Sequence, residues 1–116
     1  MGFDRVKTIL TDAIKAYKAQ NGDPDLTVHG THFPALDVDF TLDDLKNGIA
    51  KGRPLIQQEV IGQKPPRGSE ANLVKVLRGP LPPPPAAAPK MPLNGPFIDP
   101  AQVQEIQDWI DGGCLP

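Results

Sequence analysis

The residues that could do chemistry are few, and they are scattered. His29 and His32 are the chain's two histidines and are spaced His-x-x-His, which can bring two imidazoles to one metal ion. A four-coordinate zinc needs two further ligands, and no cysteine or carboxylate stands at a spacing that singles it out. No metal site is expected. The acidic run Asp37, Asp39, Asp43 and Asp44 has the density of a calcium loop. Leu42, however, stands where such a loop needs glycine, and Gly48 where it needs a bidentate glutamate. These carboxylates read more simply as a solvated loop leading into the electronegative first turn of a helix. Cys114 is the single cysteine, so it forms no internal disulfide. Its place at the far end of the chain suits a free thiol better than a thiolate preorganised beside a base. Ser69 is the only serine, and it precedes an apolar helical pattern, which is the position of a cap rather than of a nucleophile. There is no Gly-x-Ser-x-Gly elbow and no glycine loop to cradle phosphate. No catalytic residue is expected, and the chain is not read as an enzyme.

The elements that would position these residues are helices. Val6, Ile9, Leu10, Ala13, Ile14 and Tyr17 repeat at helical spacing, with Lys7, Asp12, Lys15 and Lys18 opposite. The pattern predicts a helix over about 4–20, stopped by Asn21-Gly22. Residues 23–40 have no sustained period, and Pro24 and Pro34 make the segment around His29–His32 an irregular loop. Thr41 is placed to cap a second helix carrying Leu42, Leu45 and Ile49, which Gly52-Arg53-Pro54 would stop. Leu55, Ile56, Val60 and Ile61 are the expected inward anchors of a loop over 53–68. A short helix follows over about 69–78, with Leu73, Val76 and Leu77 inward and Gly79-Pro80 as its end. Asp99 as cap, Pro100 in the first turn and Gln102 three residues after the cap predict the last helix. Its apolar face would be Val103, Ile106, Trp109 and Ile110, and Gly112-Gly113 would close it.

Composition narrows the function classes. The 116 residues carry 12 basic and 14 acidic side chains, a formal net charge of −2. Binding to nucleic acid phosphates needs a basic face, which this balance does not supply. No run approaches the ~20 apolar residues of a membrane helix, so no membrane partner is expected. The chain begins without an apolar signal core and reads as cytoplasmic, or as periplasmic if an export leader has been removed. Of the 15 prolines, nine fall between Pro80 and Pro100. The segment 80–96 is expected to run as polyproline II, either as a stiff spacer or, through Leu81–Pro85, as a ligand for a proline-binding groove. Between Lys64 and Lys90 there are five basic residues and one acid, whereas 99–111 has four acids and no base. Such unevenness can steer a partner.

Three segments together carry a family resemblance. Ser69–Gly79, then Lys90-Met-Pro-Leu-Asn-Gly-Pro96, then Val103–Gly113 with its Trp109-Ile110 resemble the C-terminal half of a class I c-type cytochrome. The first helix, with Val6, Ile9 and Leu10, is similar to that family's first helix. The resemblance implies one all-α domain over 1–116 of about four helices, with long irregular Pro-rich loops and the N- and C-terminal helices packed together. It also carries a departure. The family tethers haem through Cys-x-x-Cys-His, and the best-placed segment here is Asp25-Leu26-Thr27-Val28-His29. Asp25 and Val28 replace both cysteines, so covalent attachment through that motif is ruled out. Carried over residue by residue, the pattern leaves His29 and Met91 as the axial pair, a ligand set the chemistry allows. An alternative reading is therefore an electron-transfer protein that binds haem non-covalently through His29 and Met91.

The leading expectation is a haem-free domain with no cofactor, acting as an accessory or small subunit that stabilises or gates a larger partner enzyme. In the family the loop after the histidine and the methionine loop flank the haem edge. Without haem they would form an apolar surface with a polar rim. The expected contact residues are His32, Phe33 and Pro34 in the first loop, and Leu81, Pro83, Met91, Leu93 and Phe97 in the second.

Overall fold

The computed structural model describes residues 2–21, 40–50, 53–81, 90–91 and 97–116. Helix α1 spans Phe3–Asn21, and the expected stripe is the one that turns inward: Val6, Ile9, Leu10 and Ile14 are buried, with Ala13 packed at its edge. Helix α4 spans Pro100–Asp111. Its start follows the expected chemistry, with Asp99 accepting the Ala101 N–H at 2.8 Å and proline in the first turn. Val103, Ile106, Trp109 and Ile110 are all buried. The two terminal helices pack together, and α4 also packs on helix α3, Asn72–Arg78. Four α-helices make the described residues mostly helical.

The middle of the chain departs from the expected boundaries. Helix α2 covers only Leu42–Asn47, behind a full capping box in which Thr41 and Asp44 exchange side-chain and backbone bonds. It stops at Gly48, not at Gly52. A Cβ on Gly48 would lie 2.5 Å from the Leu55 side chain, so the absence of one lets Leu55 close over that turn. The Leu55 N–H donates to the Gly48 carbonyl at 2.8 Å. Strand β1, Ile49–Ala50, then pairs antiparallel with β2, Arg53–Pro54. Proline at the end of an edge pair removes no needed donor.

Two 3-10 turns, Gln58–Val60 and Gly68–Glu70, follow. Ser69 lies inside the second turn and does not cap α3, and the side chain buried beside Leu73 and Leu77 is Val74, with Val76 only half-buried. The residue at the cap position is Ala71, which has no side-chain acceptor. Gln57 supplies one from 15 positions away. Its Oε1 accepts from the Asn72 N–H at 2.8 Å, and its Nε2 donates to the Glu70 carbonyl at 3.0 Å.

One apolar cluster joins all four helices to Leu55, Ile56, Val60 and Ile98 from the connections, with Ile61 packed against it. Phe3 meets Phe40 edge-on at 5.9 Å and Trp109 at 6.2 Å. After α4 the chain turns back through two left-handed residues, Gly113 at φ +102° and Cys114 at φ +55°. The Cys114 N–H donates to the Trp109 carbonyl at 3.0 Å, and the Trp109 indole donates to the Leu115 carbonyl at 2.8 Å. No helix among the described residues is long and apolar enough to cross a membrane.

Candidate functional site

The expected contact surface is described at three positions, Leu81, Met91 and Phe97. Leu81 follows the end of α3 and faces inward at 8% exposure. It can anchor the proline-rich segment, and it offers a partner little surface. Further along, the Met91 N–H donates to the Val76 carbonyl at 2.8 Å. That bond lays residues 90–91 against the last turn of α3. The Met91 side chain is half-buried against the apolar cluster, the packing role that a flexible thioether fills well.

Phe97 is different. Half of its surface is exposed, although Ile98 beside it is buried. The Lys90 ammonium lies over its ring, 4.3 Å from the centroid. A contact of this kind is worth about 0.5–1 kcal/mol where water reaches it. It holds the two ends of the 90–97 segment together and sets a cation on an exposed aromatic face. No spacing rule joins residues seven apart in a proline-containing loop, so the pairing had no sequence signature. Ile98 and the Asp99 cap fix where Phe97 emerges.

His29, His32, Phe33, Pro34, Pro83 and Leu93 lie outside the described residues, as do Asp25, Val28, Asp37 and Asp39. So does most of the segment expected as polyproline II. Among the described residues no three histidine, cysteine or carboxylate side chains come together as a metal-binding group. Cys114 is enclosed in the core at 2% exposure, and burial pushes its thiol up to about 11. Placed so, it cannot serve as a thioether anchor for a surface group. The segment Asp25-Leu-Thr-Val-His29 contains no cysteine, so it cannot tether haem as a Cys-x-x-Cys-His motif does.

The carboxylates of the acidic C-terminal stretch have internal work. Glu105 takes a two-pronged bond from Arg5, at 3.0 Å to each oxygen, and the guanidinium holds its carboxyl below the usual range. Asp111 accepts the Gly68 N–H at 2.6 Å. Asp108 accepts from Gln104 at 2.9 Å, and Asp99 caps α4. Among the described residues the charge unevenness seen in the sequence resolves into an acidic stretch whose carboxylates have partners and a basic one in which Arg78 is held by Gln104 and Gln107 while Lys75 and Lys90 make no ion pair.

No protein-family model, curated protein or solved structure matches the chain.

Proposed function

We propose that the chain is a haem-free, cytochrome-c-like helical domain that acts as an accessory subunit, binding a larger enzyme and stabilising or gating it. The observation that carries this reading is the Lys90–Phe97 surface. A half-exposed aromatic ring sits under a cation on the same surface as the half-buried Met91, and among the described residues only Leu115 is another large apolar side chain so exposed. An apolar centre with a polar rim is what an interface needs. Replacement of both thioether cysteines by Asp25 and Val28 supports the haem-free part. The fold supports it at the level of helices alone, with α1 and α4 packed together.

The test is a visible spectrum of the untagged protein from its own host, a haemin titration of the same sample, and its elution on a sizing column. The expected result is no Soret band, no saturable haemin uptake and elution in a complex of constant stoichiometry. A Soret band that tracks the protein and is lost in both Met91→Ala and His29→Ala would replace this reading with an electron carrier. A monomer that brings down no partner would end it.

A further inference from the structure

The stretch from Ala71 to Ile98 contains no aspartate or glutamate, and it contains Lys75, Arg78 and Lys90. The bond between Met91 and Val76 brings these three cations to one end of α3. Lys75 lies near enough to Glu70 to help Arg67 hold that carboxyl below its usual range, whereas Arg78 and Lys90 pair with no carboxylate among the described residues. Arg78 is held by the amide oxygens of Gln107 and Gln104, and Lys75 and Lys90 make no ion pair among the described residues. By contrast, Arg5 and Arg67 are paired, with Glu105 and Glu70. Of the three, Lys90 lies over the ring of Phe97, which with Leu115 is one of two exposed large apolar side chains among the described residues.

Resting on the accessory-subunit reading, we propose that this face docks an acidic protein surface, with a carboxylate over Lys90 and an apolar pocket that takes the Phe97 ring. Desolvating the ring strengthens its contact with the Lys90 ammonium, and a partner carboxylate supplies that ammonium's missing counter-charge. One aromatic anchor with a charged rim matches the way protein interfaces concentrate their energy. A lipid surface demands something else, a helix face with several apolar residues to insert. Nucleic acid is disfavoured by the net charge of −2.

The experiment is a nuclear magnetic resonance titration of the isotope-labelled full chain with three probes. They are a peptide of glutamates flanking a central leucine pair, the same peptide with lysines for glutamates, and phosphatidylserine–phosphatidylcholine vesicles. The expected result is saturable shifts at Lys75, Val76, Lys90, Met91 and Phe97 with the glutamate peptide alone. Phe97→Ala and Lys90→Glu should each weaken that binding by about tenfold, with far-UV circular dichroism unchanged. Binding to vesicles without a response to the peptide overturns the proposal. So do shifts spread equally over Lys7, Lys15 and Lys46. A second arm cross-links the chain in extracts of its own host. A partner retained equally by the Phe97→Ala and Lys90→Glu chains overturns this surface and leaves the accessory-subunit reading standing. Absence of any cross-linked partner for the unsubstituted chain overturns both.

Discussion

Cys114 shows how position sets the chemistry of a residue. A thiol reacts as its thiolate, and burial in the core holds this one at a pKa of about 11, above the ~8.5 of an unfolded chain. The folded state therefore keeps a proton that the unfolded state releases. That contribution to stability is full below about pH 8.5 and is lost as pH rises towards 11. The expected outcome is a urea midpoint that falls across this window in the wild type and falls less in Cys114→Ala. A thiol reagent at pH 8 should label the native chain far more slowly than the urea-unfolded one. Gln57 is the other instructive residue. A helix start is read from the residue before it, and there the sequence offers Ser69 and Ala71. The acceptor that α3 uses comes from 15 positions upstream, which no local pattern can reveal. Gln57→Ala should cost about 1 kcal/mol, the usual worth of a cap, in chemical denaturation. Ser69→Ala should change little, and a large loss there would restore the simpler capping scheme.

At the scale of elements, α1 and α4 were legible because their apolar periods are long and because Asp99 and Pro100 mark the start of α4. Within 41–70 the Thr41 cap and the anchors Leu55, Ile56 and Val60 were legible, whereas the end of α2 and the start of α3 were not, because those boundaries depend on close approaches between segments distant in sequence. Gly48 ends α2 by making room for Leu55, and Gly68 meets the end of α4. A Cβ on Gly68 would lie 2.5 Å from Asp111 Oδ1 and 2.7 Å from the Gln107 carbonyl. Backbone on one side leaves little room to yield. Gly68→Ala should therefore cost about 1–3 kcal/mol, as overpacking does, by parting the 3-10 turn from α4. Gly79→Ala is the control. Its Cβ would meet nothing within 4 Å, and its thermal midpoint should stay near the wild type. Equal losses for both would mean that glycine matters at Gly68 for chain flexibility, not for contact with α4. Within the proposed contact surface, Met91 and Phe97 stood out by type and by the resemblance, whereas the placing of Lys90 over the Phe97 ring shows only in the folded chain.

The described residues share one apolar cluster to which all four α-helices contribute, and Trp109 sits within it. It is the only tryptophan, it touches Phe3 of α1, and its indole is tied to Leu115 beyond α4. Its fluorescence thus reports both the junction of the terminal helices and the fold-back of the tail, while circular dichroism reports helices everywhere. If the cluster is a single cooperative unit, the two signals must follow the same urea transition. Ile106, fully buried in α4, supplies the perturbation. Ile106→Ala removes buried methyl groups and leaves a cavity, a loss of about 2–5 kcal/mol, against a total stability of roughly 5–15 kcal/mol for a small domain. In a cooperative molecule both transitions move together by that amount. Should the tryptophan signal shift while the helical signal keeps its midpoint, α1 and α4 would form a unit separable from α2 and α3. The Lys90–Phe97 surface, which bridges the end of α3 and the start of α4, would then lie across a joint rather than on a fixed face.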